Sequence, residues 1–458
     1  MSDYFFQPLT QRPEIGCNSY LLSLDGEKII LDAGMHPKEE GADAIPRFNE
    51  LPFDSANAIV ISHSHLDHIG CLPVAQRDNP SAPVYMTTGT FLLGDALLHN
   101  SVNVMTSQRT ELGINEYPLF HHREIDYLKD QWMQRDYERP FELDPGGQLD
   151  TKVTFWDAGH ILGSAGVEFR HGDKRIFYTG DVQFTDHTLI KGAKFPEDLA
   201  GVDLLIMETT RGATPTPEGV TRSGERQRLG TAIQETLAAG GSALIPVFAI
   251  GKTQELLTTL DEMKANGTIP EKTPIFIGGL GTKMTTFYDS LASRTRRLRP
   301  GFQILKDMDL RMNKKRSRKP IVYQPGAIYC LSSGMMSENT TSNVFARGFL
   351  PNPANSLLFV GYTDPATPGG KIKEANSGDV IELDRAHKVP LHCRVETFDF
   401  SGHAPREDLL NFAIKAKPKA IQLVHGDLGA SQWFEAELKK ALPDTKVEIP
   451  QPLEKYTF

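Results

Sequence analysis

The feature that most constrains this chain is a cluster of four metal-ligand side chains within six residues. His63, His65, Asp67 and His68 follow the apolar, β-branched run Asn57–Ser62, which is typical of a buried strand. In an extended or turning backbone, His63 and His65 point to the same side and can bind one cation, while the loop turns the next two toward a second. Imidazole and carboxylate are suitable donors for Zn²⁺ and leave positions open for water. A surface turn rich in histidine is the alternative, but this spacing favours a two-metal site at a strand end.

The hydrophobic pattern changes character along the chain. Residues 18–34 predict a strand, a turn and a strand, and residues 124–136 belong to a stretch with a helical pattern. The segment 209–219 is rich in Thr, Pro and Gly and indicates a boundary. After it helices and strands alternate, which predicts an α/β domain with a mainly parallel sheet.

Composition indicates a soluble globular protein of two domains, or of one domain inserted in another. The 458 residues exceed one ordinary domain. No apolar run is long enough to span a bilayer, and residues 1–16 lack the basic and apolar segments of a signal peptide. The four cysteines are far apart and form no CxxC pair, which fits a reducing compartment. We therefore expect a cytoplasmic protein that is not bound to a membrane.

The charge distribution is uneven. A net charge of -9 and a pI near 5.9 argue against a simple electrostatic nucleic-acid binder. Residues 294–319, however, contain eleven Lys or Arg against two Asp. Such a segment is compatible with a phosphate-binding surface, although a solvated charged loop is the ordinary explanation.

Further motifs resemble those of the metallo-β-lactamase superfamily. Residues 63–68 match its HxHxDH signature, and Asp32 in ILDAG resembles its first motif. His160 in DAGHILGSA and Asp181 in YTGDV resemble the third and fourth motifs, in the correct order. The resemblance implies that Asp32 orients the metal-binding loop. It also implies two Zn²⁺ ions per chain, one held by His63, His65 and His160, the other by Asp67 and His68, with Asp181 bridging both.

The segment after Glu208 resembles the β-CASP domain of nucleic-acid-processing enzymes. Its landmarks are residues 246–257, 332–339 and 359–371. The fold class expected from this resemblance is α/β, a metallo-β-lactamase αββα sandwich with an inserted β-CASP domain. The expected domains are residues 1–208 and 391–458 for the sandwich and residues 209–390 for the insertion.

Three more residues resemble the β-CASP family's motifs A, B and C. These are Glu208, His403 in FSGHAPREDL and His425 in LVHGD. His425 completes the ligands of the second zinc by resemblance. RNA-cutting members carry His at this position, whereas DNA-cutting members typically carry a small apolar residue, so RNA is favoured.

The resemblance is closest to the RNA-processing branch, and within it to the compact prokaryotic relatives of the endonuclease subunit of the eukaryotic cleavage and polyadenylation machinery. It implies a zinc-dependent ribonuclease that hydrolyses single-stranded RNA as an endonuclease, a 5′-exonuclease or both, using a water activated by two metals. Asp67, Glu208 and His403 are the expected catalytic residues, with His403 as the acid oriented by Glu208. The expected substrate contacts are Ser332, Ser333 and Lys371.

Three other functions stay open. The chain can be a DNA nuclease of the same fold, against which His425 speaks. It can be a small-molecule thioester or ester hydrolase, although such a substrate does not need the large insertion. A non-catalytic scaffold is the third, and the complete set of ligand positions disfavours it. A homodimer is possible, because relatives often form dimers.

Overall fold

The structure is a computed structural model that describes residues 4–144, 147, 149–312 and 321–458. Residues 313–319 of the basic segment therefore lie outside the described residues. The chain divides into two compact units. The first unit comprises Met1–Thr185, Gly192–Thr216 and His403–Phe458, and the second comprises Asp186–Lys191 and Pro217–Gly402.

The strands and helices occur in three stretches of the chain. The first stretch contains β1 (Phe5–Pro8), β2 (Tyr20–Leu24), β3 (Glu27–Leu31), β4 (Ala58–Val60), α1 (Leu66–Ile69), α2 (Leu72–Asp78), β5 (Val84–Thr87), α3 (Thr88–Leu112), α4 (His122–Leu128), β6 (Trp132–Arg135), β7 (Phe141–Glu142), β8 (Lys152–Asp157), β9 (Ala165–His171), β10 (Lys174–Tyr178) and β11 (Leu204–Glu208). The second contains α5 (Arg222–Ala238), β12 (Ala243–Pro246), α6 (Lys252–Ala265), β13 (Ile275–Gly278), α7 (Leu280–Ser290), α8 (Ile304–Asp307), β14 (Leu310–Met312), β15 (Ile328–Leu331), α9 (Thr341–Phe349), β16 (Ser356–Phe359), α10 (Pro368–Glu374), β17 (Val380–Asp384), β18 (His387–Pro390) and β19 (Arg394–Thr397). The third contains α11 (Arg406–Ala416), β20 (Ala420–Val424), α12 (Leu428–Ala441), β21 (Lys446–Glu448) and β22 (Tyr456–Thr457).

The first unit is a sandwich of two seven-stranded sheets, in the orders β22-β1-β2-β3-β4-β5-β6 and β21-β20-β11-β10-β9-β8-β7. Side chains alternate between the two faces of a strand. Leu22, Ile29 and Leu31 therefore lie in the core that both sheets share, whereas Leu21 and Ile30 pack in the core on the helical side. Burying each such side chain contributes about 1.5–3 kcal/mol. This arrangement confirms the expected αββα sandwich.

The helical interpretation of residues 124–136 is wrong in its second half. Helix α4 ends at Leu128, and Trp132–Arg135 forms β6, which pairs in parallel with β5. Trp132 is buried and donates its indole N–H to Gln76 Oε1 at 2.7 Å. Tertiary packing of this aromatic residue overrides the local helical pattern.

The second unit is built on a six-stranded sheet in the order β14-β13-β15-β12-β16-β19, in which every pair of neighbours is parallel. A separate hairpin joins β17 and β18. The predicted α/β character and mainly parallel sheet are confirmed. The chain passes from the first unit to the second between residues 216 and 217, and returns between residues 402 and 403. The domain limits expected after residues 208 and 390 stay predictions.

Two further expectations concern the chain's surroundings. Among the described residues, no helix combines the length and the apolar composition needed to cross a bilayer. The four cysteines are buried and unpaired. The cytoplasmic location and the homodimer stay predictions.

Candidate metal centre

The residues of the candidate site lie at or just after the carboxyl ends of six strands in the first unit. Strands in both sheets of the sandwich contribute, so one locus gathers side chains that are far apart in sequence. The strands and the residues that end or follow them are β3 with Asp32, β4 with His63, His65, Asp67 and His68, β8 with His160, β10 with Asp181, β11 with Glu208, and β20 with His425.

Asp32 is fully buried and fixes the orientation of His68. Its carboxylate accepts hydrogen bonds from Ser62 N at 2.6 Å, Ser62 Oγ at 2.7 Å and Tyr178 Oη at 2.7 Å. It also accepts from His68 Nδ1 at 2.7 Å, so Nε2 of that ring is turned toward the other candidate ligands. Asp32 has a left-handed φ of 58°, which costs about 1–2 kcal/mol for a residue with a Cβ. These hydrogen bonds offset that cost.

The same network sets the tautomer of His63. Because Ser62 Oγ donates to Asp32, it accepts from His63 Nδ1 at 3.1 Å. Nε2 of His63 then carries the lone pair that a metal needs. Burial first, and then the neighbouring His68, hold the pKa of His63 well below its ordinary value, so the ring is neutral.

A close backbone contact places Asp67. The loop expected to turn Asp67 and His68 is a single helical turn, α1. A Cβ at Gly34 would lie 1.8 Å from the carbonyl oxygen of Asp67, so only glycine fits there. Ala33 donates its backbone N–H to His68 O at 2.8 Å. These contacts hold α1 against the segment that follows β3.

The first donor group contains His63, His65, His160 and Asp181, whose ligand atoms all lie within 4.8 Å of one another. His65 Nδ1 lies 3.2 Å from His63 Nε2 and 3.1 Å from His160 Nε2. Asp181 Oδ2 lies 3.4 Å from His63 Nε2 and 3.6 Å from His160 Nε2. Metal–nitrogen bonds of about 2.0–2.1 Å give a tetrahedron with edges of about 3.3 Å. The donor separations fit such a tetrahedron.

The second donor group contains Asp67, His68 and His425, again within 4.8 Å. His425 Nε2 lies 3.2 Å from Asp67 Oδ2. Asp181 Oδ1 lies 3.4 Å from His68 Nε2 and 3.2 Å from His425 Nδ1. The two oxygens of Asp181 thus face different histidine groups. Its buried Oδ1 accepts no hydrogen bond from the described residues, as expected of a metal ligand.

The charges of the site also support metal binding. The site contains the carboxylates of Asp32, Asp67, Asp181 and Glu208, and every ion-pair partner described for them is a histidine. Burial raises the pKa of Asp181. Burial lowers the pKa of His68, but Asp181 and Asp32 outweigh it and raise that pKa to about 10. Buried carboxylates need a compensating positive charge, so these donors fit metal cations.

His403 and Glu208 form a pair that, together with Asp181 and His425, makes a third group of converging ligand atoms. His403 Nδ1 lies 3.1 Å from Glu208 Oε2 and 3.2 Å from Oε1. Glu208 is buried and also accepts the Val182 N–H at 2.7 Å, which fixes its carboxylate. Burial lowers the pKa of His403, but Glu208 outweighs burial and raises it above the ordinary value. The pair therefore favours a protonated imidazole.

The three predicted substrate residues lie in the second unit. Ser332 and Ser333 follow β15, and Lys371 lies in α10 with an exposed side chain. Ser332 Oγ lies 3.4 Å from Gly278 O, and Ser333 Oγ accepts the Ser337 N–H at 3.2 Å. All predicted metal ligands and both members of the His403–Glu208 pair lie in the first unit.

Sequence reasoning missed several supporting residues. Ser62 and Tyr178 bind Asp32, as described above. Asn18 Nδ2 lies 3.3 Å from His68 Nε2, and Thr210 Oγ1 lies 2.9 Å from His425 Nδ1. Ser62, Tyr178 and Thr210 stand within three residues of a predicted ligand or catalytic residue in the chain, but nothing in a local pattern indicates which ring or carboxylate each contacts.

Comparisons with known proteins agree with this geometry. Family models match the metallo-beta-lactamase superfamily at residues 12–213 and the Beta-Casp domain at residues 253–372. A third, described as a Zn-dependent metallo-hydrolase RNA specificity domain, matches residues 388–450. A crystal structure of a protein of unknown function from Enterococcus faecalis V583 shares the fold, with a TM-score of 0.60 and 13% identity over 99% of this chain and 100% of that one.

Curated relatives align with most of the chain. It is 30% identical to the cleavage and polyadenylation specificity factor subunit 3-II of Arabidopsis thaliana, over 90% of this chain and 66% of that protein. It is 30% identical to the transcription termination factor FttA of Pyrococcus horikoshii, over 90% and 65%. It is 28% identical to the endoribonuclease YSH1 of Yarrowia lipolytica, over 95% and 52%. The chain thus spans between 52% and 66% of the length of these relatives.

The order of the donor motifs, the two-sheet sandwich and the matched family models lead to one assignment. The chain belongs to the metallo-β-lactamase superfamily, and within it to the metallo-hydrolases that carry a β-CASP domain.

Proposed function

We propose that this chain is a zinc-dependent ribonuclease that hydrolyses phosphodiester bonds in single-stranded RNA. The observation that carries the proposal is the position of Asp181, whose two oxygens face separate donor groups, with the His403–Glu208 pair beside them. Such a pair of sites suits phosphodiester hydrolysis, in which charge develops on several oxygens at once.

The proposed ligands form two sets that share Asp181. His63, His65 and His160 belong to the first set, and Asp67, His68 and His425 belong to the second. When bound, the two zinc ions supply Lewis-acid chemistry, which activates water and stabilises negative charge on the phosphoryl oxygens.

The residues of the chain supply orientation and a proton. Asp32 and Ser62 hold His68 and His63 by their Nδ1 atoms, so that both rings present Nε2. In the proposed mechanism Glu208 accepts a hydrogen bond from His403 Nδ1, and the acid proton is carried by Nε2. His403 donates that proton to the leaving oxygen of the cleaved phosphodiester. Burial of Glu208 strengthens its interaction with the cationic ring.

RNA is the proposed substrate for two reasons. Relatives include a protein called an endoribonuclease, and one family model is named for RNA specificity. His425 also stands where the resemblance separates RNA-cutting from DNA-cutting members. Ser332, Ser333 and Lys371 are proposed to contact the RNA backbone, whether the enzyme cuts internally, from the 5′ end or both. A cytoplasmic location and a homodimer are part of the same proposal.

Metal analysis combined with cleavage assays tests the proposal. The expected result is two zinc ions per chain, chelator-sensitive cleavage of 5′-labelled single-stranded RNA, and slower cleavage of DNA of the same sequence. The pattern of labelled products separates internal from end-directed cutting. Preferential DNA cleavage would favour a DNA nuclease, and hydrolysis of a thioester without attack on RNA would favour a small-molecule hydrolase. A purified chain that binds no metal would refute the proposal.

A further inference from the structure

The second unit buries a charged cluster around Glu255, a residue of α6 that is 5% exposed. Glu255 Oε1 accepts hydrogen bonds from Arg222 Nη2 at 2.5 Å and from Arg222 Nε at 3.2 Å. Its other oxygen bonds His187 Nδ1, and the Thr188 N–H lies 3.4 Å from Oε1. One carboxylate therefore joins helix α6, the start of α5 and the segment Asp186–Lys191.

The two cations of this cluster bind successive main-chain carbonyls. Arg222 Nη1 donates to Ser401 O at 3.2 Å, and its guanidinium lies 5.7 Å from the ring centroid of Phe400. Lys252 Nζ donates to Phe400 O. Both cations thus bind one short segment, Phe400–Ser401.

This segment leads directly to His403. The second unit ends at Gly402, and the first resumes at His403. Inside the first unit the next residues are held as well, because Gln183 Nε2 donates to His403 O at 3.0 Å and Ala404 N donates to Val182 O at 2.7 Å. The backbone on both sides of His403 is therefore bound by hydrogen bonds.

The ordinary explanation of this cluster is that a buried carboxylate merely needs a partner. Burial would raise the pKa of Glu255, but Arg222 first and His187 next hold it well below its ordinary value, so the carboxylate is ionised. A hydrophobic group of similar size is often as stable as a buried ion pair. Stability alone therefore does not account for two cations on adjacent carbonyls of one segment.

We propose that Glu255 is a positioning residue for His403, because it holds Arg222 on the carbonyl of Ser401 beside the carbonyl that Lys252 binds. The cluster fixes the backbone that carries His403, and thereby the aim of the imidazole at the leaving oxygen. This role rests on the proposed function of His403 as the acid.

Two substrates with different leaving groups distinguish a positioning role of Glu255 from a general structural role. The leaving oxygen of RNA needs a proton, whereas nitrophenolate departs without one, so only RNA cleavage depends on a well-aimed acid. Glu255→Gln is expected to lower kcat on single-stranded RNA about tenfold, with KM changed less than about twofold. The same variant should hydrolyse bis(4-nitrophenyl) phosphate within about twofold of the original chain and keep its zinc content.

Glu262→Gln is the matched control. Glu262 also lies on α6 and also bonds an arginine of α5, Arg226, but this pair has no described link to Phe400–Ser401. The control variant should cleave RNA and hydrolyse bis(4-nitrophenyl) phosphate at the rates of the original chain. Lys252→Met removes the bond to Phe400 O and keeps the Arg222–Glu255 pair, and should lower kcat on RNA in the same direction by a smaller factor. It serves the test if Glu255→Gln fails to fold.

Three results would overturn the role: an equal loss on both substrates, a loss of zinc, or a higher KM with kcat unchanged. Failure of the proposed function has a different signature, because the unmodified chain would then cleave no RNA. That outcome would refute both the role of His403 as the acid and the role of Glu255 in positioning it.

Discussion

Each unit buries a cluster of charged side chains, and the clusters differ in how their charge is balanced. Around Glu255 the positive charge comes from the chain itself, in Arg222 and Lys252. Around Asp181 the described ion-pair partners of the carboxylates are all histidines, and the pKa of His63 is far below its ordinary value. Buried charge that is not compensated costs several kcal/mol. Cations of the chain compensate the cluster around Glu255, whereas the histidine and carboxylate donors around Asp181 converge as a metal site requires.

The difference shows how to tell a structural charge cluster from a metal centre. In the first unit imidazole nitrogens and carboxylate oxygens converge at 3.1–3.6 Å, and Asp181 Oδ1 accepts no hydrogen bond from the residues described. Around Glu255 two cations of the chain compensate one carboxylate and also bind main-chain carbonyls, although His187 Nε2 is buried without a hydrogen-bond partner among the described residues. Converging lone pairs indicate a metal site, and cations that end on main-chain carbonyls indicate a fixed backbone.

The largest effect is expected from substitution of Asp181, which belongs to the cluster that is proposed to bind metal. Asp181→Ala removes the oxygen donor shared by both groups, so we expect loss of bound zinc and a fall in RNA cleavage of at least about a thousandfold, since the metals supply several kcal/mol of transition-state stabilisation. Metal content and cleavage rate are measured together. Asp198→Ala is the control, because that carboxylate is exposed and pairs with Arg175. A variant that retained both metals would contradict the bridging role.

His403 tests whether metal binding and proton transfer are separable. His403→Ala should keep the zinc and lose about 10²–10³ in turnover, because it removes the proposed acid. His99→Ala is the control, since its side chain has a similar exposed fraction, 23% against 22%, and it lies in α3. Zinc content that fell in parallel with turnover would assign His403 to metal binding instead.

The smallest effect concerns a single cation in the second unit. Lys373 donates to Gly361 O at 3.0 Å and lies over the Phe359 ring, and burial lowers its pKa from 10.5 to about 8. The unfolded chain binds more protons between these values, so stability should rise as pH increases from about 8 to 10.5. The gain is about 1 kcal/mol once solvent screening is discounted. Lys373→Met should reduce this rise in stability, measured by urea denaturation at each pH, and Lys371→Met, in the same helix, should not.

Local patterns were sufficient for much of this protein. The HxHxDH cluster and the ordered motifs at Asp32, His160 and Asp181 resemble a known superfamily, and that resemblance implied the sandwich and the set of candidate ligands. The alternation of helices and strands after residue 219 predicted the parallel sheet, because helices connect parallel strands.

Two features lay beyond sequence reasoning. The strand β6 was misjudged as helix because burial of Trp132 against Gln76 decides its conformation. The segment Asp186–Lys191 belongs to the second unit, although its sequence neighbours on both sides belong to the first.

The sequence by itself determined which residues are candidate ligands, because ligand chemistry is a local property and the order of the motifs resembles that of a known superfamily. Only the tertiary structure decided the protonation of His63 through Ser62, the division of Asp181 between two groups, and the link from Glu255 to the segment before His403. These depend on distances between residues up to 244 positions apart in the chain, as in the contact of Asp181 with His425, Asp181 with His68 and Glu255 with Arg222. Such distances are set by how sheets and helices pack and not by any local pattern.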